Sequence, residues 1–574
     1  MAQTAHALAA LLGRQAGEAP KRPVVLQGLA DLANWEPAYK RIRVDMVGQL
    51  VAAHVCPAEM QDGSYLLLVT KDHLQGGTHR ELERRLQGMK AKYEAVEISP
   101  TLLLTLTRER LEGEQISRDR RASDRSAMAS AFLEIVTWGV RHGASDIDLN
   151  INLNALESQI RFCIDGRFVS PPQFRMPTER LHELARVAWL DVRGGQGAML
   201  NTRQEQQGRL YEVVDGRQYM LRWMSFAADQ GPSICMRVLQ LDAAAQMVDY
   251  DALGYLPSQA RVMERALLAE GGAIVFGGVV GSGKSTTLAH LIGQIPQSRK
   301  IMTLEDPVER AIPGALQSTI TRNLGDDEDH KTFRSKLLAL KRSAVTDVLL
   351  GEIRDRVTGR AAIDVIESGS RLYTTTHAFS ALAIPDRLAS SQIGLPRELL
   401  AAPGVLKLLV YQALLPRLCT CALPAETLFD GAPDATGQQR PGAYWRRYLG
   451  VIGELYGINH HPIRVRNPTG CPLCQHGRLA DLYGWKGRTV VAEAYELAHD
   501  HEALRAIQRN DQLSLVEHLN QLPRSAVTDA DMTHKSALEC AVYKMTQGQL
   551  DPRDIEPRFV AFETLLLQRQ RRTQ

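Results

Sequence analysis

The glycine-rich stretch GGAIVFGGVVGSGKSTTLAHLI carries the residue types and spacing that most strongly indicate chemistry. Gly278, four further residues, Gly283, Lys284 and Ser285 form the pattern G-x-x-x-x-G-K-S between an apolar strand and a helical segment. Glycines let backbone N–H groups face one concavity, and the following helix N-terminus adds partial positive charge. We therefore predict a loop that binds ATP with Mg²⁺, with Lys284 on the β- and γ-phosphates and the Ser285 hydroxyl on the metal. The residues predicted to contact the nucleotide in this loop are Gly278, Val279, Val280, Gly281, Ser282, Gly283, Lys284, Ser285 and Thr286.

Acidic residues follow two further apolar segments, and a histidine follows a third. KIMTLEDPVER leads to Glu305 and Asp306, TDVLLGEIRDR leads to Glu352, and RLYTTTHAFSAL leads to His377. Gly351 stands where the usual nucleotidase motif has an aspartate. Because parallel sheets place their chemistry at the carboxyl ends of strands, we expect these side chains to converge on the bound phosphates. One acid would orient or deprotonate water and another would hold magnesium through its water shell, while the imidazole would hydrogen-bond the γ-phosphate.

Four cysteines indicate a metal site of a different kind. RLCTCALP supplies Cys419 and Cys421, and TGCPLCQHG supplies Cys471 and Cys474. Two closely spaced pairs in a long chain without a secretory leader favour a structural Cys₄ zinc site over disulfides. Free thiols remain the alternative, and three histidines could substitute as ligands. They are His460, His461 and His476.

The elements that must position these residues form an α/β pattern. From about residue 250, apolar strands alternate with helical stretches, which is typical of a parallel sheet, and we assign 250–574 to this domain with 411–495 as its cysteine region and helices at its end. Upstream, we predict a leader at 1–21, a small α/β domain at 22–112 and a charged linker at 113–126. A sheet domain follows at 127–245, with a hairpin turn at the Asp-Gly pair 165–166.

Bulk composition sets limits on the partners. Among 574 residues, 44% are hydrophobic and 23% charged, with a net charge of +3. This balance gives no support to nucleic-acid binding, so we expect no nucleic-acid partner. No apolar run is long enough for a membrane span, and the first residues lack a secretory signal, so we expect a cytoplasmic protein.

The ordered set GSGKSTTL, TLEDPVE, LLGEIRD and TTTHA resembles the ATPases of type II secretion, type IV pilus assembly and retraction, and some type IV secretion systems. The resemblance implies a RecA-like P-loop core, a preceding PAS-like sheet domain and a tetracysteine zinc insertion. It also implies that Glu305 is the general base, that Glu352 works with Mg²⁺ and that His377 belongs to the histidine box. Glycine before Glu352 is what this family carries.

The resemblance further implies that arginines of the sheet domain reach the nucleotide. QQGRL, YMLRWMS and ICMRVL match the family stretches and supply Arg209, Arg222 and Arg237. Guanidinium groups can neutralise charge on the γ-phosphoryl group and couple neighbouring subunits. Some positions depart from the family pattern: Ser370 stands where a second histidine is common, and Trp485 occupies a tyrosine position.

By the same resemblance, we expect a homo-hexamer at the inner face of the inner membrane that drives a platform protein. The cysteine region and the extra N-terminal domain favour pilus assembly or export over retraction. Two alternatives stay open: a RecA-like motor that translocates nucleic acid, and a scaffold that binds nucleotide without hydrolysing it.

Overall fold

A computed structural model describes residues 25–28, 31–32, 35–47, 49–107, 118–195, 197–241, 249–320 and 327–573. The leader predicted at 1–21 lies outside the described residues. Within them, no helix combines the length and the apolar composition needed to cross a bilayer.

The N-terminal unit is a five-stranded sheet in the order β1-β5-β4-β3-β2. Its central strands are largely apolar and buried; β4, for example, has the sequence YLLLV. The strands are β1 Val25–Leu26, β2 Tyr39–Ile42, β3 Val55–Met60, β4 Tyr65–Val69 and β5 Tyr93–Ile98. The helices are Gln49–Ala52, Gly77–Gly88 and Pro100–Leu106, with short 3₁₀ turns at Val44–Met46 and Lys71–His73.

The second unit is a seven-stranded, largely antiparallel sheet in the order β10-β11-β12-β6-β7-β8, with β9 paired to β7. Its strands are β6 Ala144–Asn150, β7 Glu157–Ile164, β8 Arg167–Val169, β9 Met176–Pro177, β10 Gln206–Val214, β11 Arg217–Ala228 and β12 Gly231–Gln240. Its helices are Arg118–Arg141 and Thr178–Trp189, with a 3₁₀ turn at Pro172–Phe174. Asp165 and Gly166 both have positive φ, 52° and 79°, as a two-residue hairpin turn requires.

The second half of the predicted linker at 113–126 is helical. Helix Arg118–Arg141 begins inside it and continues without interruption to the start of β6. The charged run RDRRASDRS contains no proline or glycine, so nothing in it prevents an extra two turns of helix. Residues 113–117 lie outside the described residues.

The third unit is built on a seven-stranded sheet in the order β15-β14-β16-β17-β13-β18-β23. Neighbouring strands run parallel except for the antiparallel pair β18 and β23, so the fold class is α/β as predicted. Its strands are β13 Ala273–Gly277, β14 Ile301–Glu305, β15 Ala315–Thr319, β16 Asp347–Leu350, β17 Arg371–Thr376, β18 Leu406–Leu418 and β23 Trp485–Tyr495. Its helices up to β18 are Tyr250–Leu253, Pro257–Leu268, Lys284–Gly293, Asp327–Lys341, Arg356–Glu367, Ile384–Ala389 and Arg397–Leu400.

The segment 411–495, assigned above to the cysteine region of this domain, begins and ends in strands of this sheet. Strands β18 and β23 pair with each other, and the chain leaves and re-enters the sheet between them. The excursion contains two small ladders, β19 Leu423–Pro424 with β22 Arg464–Val465, and β20 Ala432–Pro433 with β21 Gln439–Arg440. Its helices are Gly442–Tyr456 and Pro472–Gln475, with 3₁₀ turns at Ala425–Asp430 and Ala480–Leu482. The C-terminal helices are His501–Gln508, Gln512–Gln521, Ala537–Thr546, Pro552–Ile555 and Phe562–Thr573.

The antiparallel sheet docks on the third unit next to the excursion. The guanidinium groups of Arg167 and Arg466 both lie over the ring of Trp485, with their carbons 3.9 and 3.7 Å from the ring centroid. The indole Nε1 donates to Asp554 Oδ2 at 3.1 Å, and Arg167 Nη2 pairs with the other oxygen of that carboxylate at 2.7 Å. An aromatic ring between two cations and a shared carboxylate therefore connects the β7–β8 hairpin to the third unit.

Candidate functional site

The G-x-x-x-x-G-K-S segment forms a tight loop between β13 and helix Lys284–Gly293. Gly278, Gly281 and Gly283 have φ values of 152°, 74° and 86°, in the region that side chains rarely adopt. A Cβ at Gly278 would lie 2.5 Å from Ser282 Oγ and 2.6 Å from the Gln412 carbonyl oxygen. The chain therefore needs glycine to pass through this narrow turn and expose backbone N–H groups at the helix start, which fits the binding of phosphate oxygens.

Lys284 begins the helix and is held against the loop. Its Nζ donates to the carbonyl oxygens of Gly278 and Val279 at 2.8 and 2.9 Å. Burial lowers the pKa of Lys284 to about 8, although Glu352 acts in the opposite direction. Ser282 is buried as well, and its Oγ has no hydrogen-bond partner among the described residues. A polyanion in the loop would favour the charged ammonium.

Glu305 ends β14 and lies between two hydrogen-bond donors. Thr303 Oγ1 and Gln317 Nε2 donate to its Oε1 at 2.6 and 3.0 Å. Burial raises the pKa of this carboxyl, and the two donors act against that rise. A carboxyl group with a raised pKa is suited to accept a proton from water near neutral pH.

Gly351 is explained by its neighbour on the adjacent strand. A Cβ at this position would lie 3.4 Å from Glu305 Cα and 3.6 Å from its Cγ. An aspartate here would bring a second carboxylate against the buried Glu305, and like charges at short range disfavour ionisation of both. The glycine in LLGEIRD therefore leaves Glu305 as the acid at this point of the sheet.

His377 connects Glu352, which follows β16, to the phosphate-binding loop. It follows β17, and its Nε2 lies 2.9 Å from Glu352 Oε1 while its Nδ1 lies 3.2 Å from the Gly278 carbonyl oxygen. Both partners are hydrogen-bond acceptors, and each lies within reach of one ring nitrogen. The structure thus brings Glu352 and His377 into one hydrogen-bonded chain that ends on the phosphate-binding loop.

The three predicted arginines form a row across the antiparallel sheet. Arg209 on β10 is in register with Arg222 on β11, which is in register with Arg237 on β12. Arg222 Nη1 donates to the backbone carbonyl of Asp306 at 3.3 Å, and Arg209 lines the same cleft between the two units. Arg237 is instead paired with Asp146 through a 3.0 Å contact. The row therefore meets the third unit at the acidic segment after β14 through Arg222.

Gln412 is absent from the residues predicted for the site, yet it hydrogen-bonds to the backbone of the phosphate-binding loop. It is fully buried in β18, and its Nε2 donates to the Ser282 carbonyl at 2.7 Å. Its Oε1 accepts from the buried Tyr255 hydroxyl at 2.6 Å, and that hydroxyl lies 3.3 Å from Thr287 Oγ1. The available signal was a lone amide within the apolar run LKLLVYQALLPRL.

The four cysteines come together as predicted, and their thiols fit a tetrahedral ion. Cys419 Sγ lies 3.8 Å from Cys471 Sγ, Cys421 Sγ lies 3.9 Å from Cys474 Sγ, and all four sulfurs are within 4.8 Å of one another. Zinc–sulfur bonds of about 2.3 Å in a tetrahedron place sulfurs about 3.8 Å apart. The backbone N–H groups of Cys471 and Gly484 approach Cys474 Sγ at 3.1 and 3.3 Å, as outer-shell donors to a metal-bound sulfur do. These four residues could therefore hold Zn²⁺.

The histidines considered as substitute zinc ligands lie elsewhere. His461 Nδ1 is 2.9 Å from Glu426 Oε1, and His460 Nε2 is 3.5 Å from the same oxygen. Within the described residues, neither these two nor His476 belongs to the cysteine cluster. For His460 and His461 the reason is geometric, because the antiparallel β19–β22 ladder separates them from the cysteines.

The chain matches one protein family and is similar to several known proteins. The family model described as "Type II/IV secretion system protein" matches residues 121–541. The chain is 27% identical over 394 residues to type II secretion system protein E of Pectobacterium carotovorum subsp. carotovorum, covering 68% of this chain and 69% of that protein. It is 28% identical over 383 residues to type II secretion system ATPase E of Vibrio cholerae serotype O1, covering 65% and 67%. The solved structure of the Legionella pneumophila ATPase DotB aligns with a TM-score of 0.44 and 16% identity, over 80% of this chain and 98% of that one.

Proposed function

The chain belongs to the type II/IV secretion system protein family, and we propose that it is the ATP-hydrolysing motor of a machine that assembles a type IV pilus or exports protein across the inner membrane. It is an ATPase of the secretion and pilus motor class. The cargo class and the direction of the work belong to the proposal.

One observation supports this function best: three neighbouring parallel strands end at one point. β13 delivers the phosphate-binding loop, β16 delivers Glu352 and β17 delivers His377, and the imidazole lies within 2.9 Å of Glu352 and 3.2 Å of the loop carbonyl of Gly278. A γ-phosphate in the loop would therefore lie next to an acid and an imidazole that already contact each other.

In this proposal, Lys284 and the loop backbone bind the β- and γ-phosphates, and the Ser285 hydroxyl, Asp306 and Glu352 would hold Mg²⁺ directly or through water. When bound, the metal would neutralise charge on the phosphates. Glu305 accepts a proton from the attacking water, and its raised pKa suits that role. Arg222 and Arg209 place positive charge at the edge of the site, where Arg222 already contacts the Asp306 backbone. Arg237 would join them on release from its ion pair with Asp146.

We further propose that the motor is a homo-hexamer at the inner face of the inner membrane, docked through its N-terminal unit to a platform protein. Hydrolysis would move the antiparallel sheet relative to the third unit. The hydrogen bond between Arg222 and Asp306 gives such a motion a direct connection to the acidic segment. The cysteine cluster and the N-terminal unit favour assembly or export over retraction within the family.

A nucleic-acid-translocating motor is the second candidate function. The net charge of +3 offers little electrostatic attraction for phosphate backbones, which disfavours it. Turnover that rises on addition of single- or double-stranded DNA would restore this candidate.

The proposal is tested by measuring ATP turnover and ATP binding for Glu352→Gln, with Glu367→Gln as the matched control on the exposed end of helix Arg356–Glu367. We expect at least a roughly hundredfold loss of turnover in Glu352→Gln with ATP binding retained, because electrostatic groups at the reacting phosphate are typically worth that much. Equal turnover in both variants would contradict the assignment. A purified wild-type hexamer without turnover would refute the motor and leave the scaffold alternative.

A further inference from the structure

We propose that Glu426, His460 and His461 form a second divalent-metal site, separate from the cysteine cluster. Two imidazole nitrogens and one carboxylate oxygen are supplied, and the three ligand atoms lie within 4.8 Å of one another. This donor set suits zinc and related borderline cations, and three protein ligands leave coordination positions open to water.

The separations between the ligand atoms fit a metal of this kind. Glu426 Oε1 lies 2.9 Å from His461 Nδ1 and 3.5 Å from His460 Nε2. Zinc bonds to nitrogen and oxygen of about 2.0–2.2 Å in a tetrahedron put neighbouring ligand atoms roughly 3.3–3.5 Å apart. The 3.5 Å separation lies within that range and the 2.9 Å separation lies below it, so side-chain rotations that move His461 slightly away from Glu426 would place all three atoms around one ion.

The backbone that carries the three side chains is already fixed. The Ala425 N–H donates to the Ile463 carbonyl at 3.2 Å, and both residues are buried. The Ile463 N–H in turn donates to the His460 carbonyl at 2.9 Å. The rings of His460 and Phe429 meet edge to face with centroids 6.1 Å apart, which limits the rotation of the imidazole. Metal binding would therefore cost little conformational entropy of the backbone.

The ladder topology separates this site from the cysteines. Cys421 precedes β19 and Glu426 follows it, whereas His461 precedes β22 and Cys471 follows it. Because β19 and β22 are antiparallel, the cysteines lie at one end of the ladder and the Glu-His-His group at the other. A ladder of two residue pairs is only marginally stable alone, so a metal at each end would fasten both ends.

The simplest alternative is a surface ion pair between Glu426 and the two histidines. The side chains are accessible enough to allow it, with exposed fractions of 33% for Glu426 and 73% for His461. An ion pair and a metal site differ in one measurable respect, since only the latter retains a stoichiometric equivalent of zinc.

The test uses the full-length chain, stripped with chelator and dialysed against excess Zn²⁺, with metal per chain measured by elemental analysis. We expect His460→Ala/His461→Ala to hold one equivalent of Zn²⁺ fewer than the wild type. The matched control, His499→Ala/His501→Ala, removes two exposed histidines that belong to neither metal cluster and should retain the wild-type amount. Glu426→Gln, which keeps both imidazoles, should weaken retention at least tenfold.

Co²⁺ substitution distinguishes the two sites independently of zinc counting. An ion bound by thiolates gives an intense sulfur-to-metal absorption, whereas the Glu-His-His site would give only weak ligand-field bands that disappear in His460→Ala/His461→Ala. Equal zinc content in wild type and this variant, or the same loss in the control, would overturn the proposal. Because the readout is metal content, failure of this site would not bear on the ATPase proposal.

Discussion

Replacing Gln412 by methionine removes both hydrogen bonds beneath the phosphate-binding loop while keeping a side chain of similar length. The buried Ser282 carbonyl loses its side-chain donor at 2.7 Å, which costs about 1–3 kcal/mol. The Tyr255 hydroxyl loses its acceptor at 2.6 Å but still has Thr287 Oγ1 at 3.3 Å, so its loss is about 0.5–1.5 kcal/mol. We expect the free energy of unfolding to fall by about 2–4 kcal/mol in total.

Part of that cost should also appear in ATP binding. A loop that lacks its lower support is less ordered before binding, and the ligand must then supply the ordering free energy. If about 1.4 kcal/mol falls on this step, the dissociation constant for ATP rises about tenfold. The assay is calorimetric or fluorescence titration of Gln412→Met with ATP and Mg²⁺, alongside denaturant unfolding without nucleotide.

Tyr255→Phe is the matched control, because it removes the hydroxyl and leaves the Gln412 bond to the Ser282 carbonyl intact. It should lower stability by about 1 kcal/mol without changing ATP affinity. Wild-type affinity in Gln412→Met, or an equal loss in both variants, would show that the loop does not depend on this amide.

Three further predictions concern protonation and domain docking. Burial lowers the pKa of Lys284 to about 8, and bound phosphate favours its charged form, so ATP binding at pH 8 should take up about half a proton. ATP affinity should then weaken as the pH rises further. Calorimetry in buffers of different ionisation enthalpy measures the uptake, which should be absent in Lys284→Arg. Burial raises the pKa of Glu305, so turnover should fall with decreasing pH in a range above that of an ordinary glutamate. Gln317→Leu removes a hydrogen-bond donor to this carboxylate and should move the midpoint of the pH profile of kcat/KM to still higher pH. Trp485→Leu removes two cation–π contacts and a hydrogen bond to a carboxylate, which together are worth about 2–4 kcal/mol. Amide hydrogen exchange in the β7–β8 hairpin should therefore accelerate. Lys486→Ala, which changes an exposed neighbour, should leave the exchange rate unchanged.

The chemistry-bearing residues could largely be predicted from sequence, because each follows an apolar strand and carries its own local pattern. The loop residues, the histidine and the four cysteines are recognisable within a few neighbours, and parallel strand order brings their ends together. The hydrogen bond from Gln412 that holds the phosphate-binding loop could not be predicted in this way. Gln412 reaches Ser282 across 130 positions of the chain, and no local pattern encodes that contact.

Two local features of the structure do not follow from composition or from proximity in sequence. The charged run RDRRASDRS before residue 127 has the composition of a solvated connector, but it contains four arginines and an alanine, which favour helix, and no proline or glycine. The helix Arg118–Arg141 includes it. The histidines near the cysteine pairs were reasonable zinc ligands by proximity in sequence. Strand pairing of β19 with β22 decides which of them meet, and pairing is a tertiary property.

The excursion between β18 and β23 leaves and re-enters the sheet on neighbouring strands, so its length is decoupled from the site. The entropic cost of closing a loop rises only slowly with its length, so residues can be added beyond the cysteines without disturbing the pairing of β18 with β23. At its far side, the turn between β20 and β21 is exposed from residue 435 to 438, with Gly437 at a φ of 86°. This turn is therefore a natural place to insert a fluorescent domain, which would allow the assembled motor to be followed in living cells while its nucleotide site stays intact.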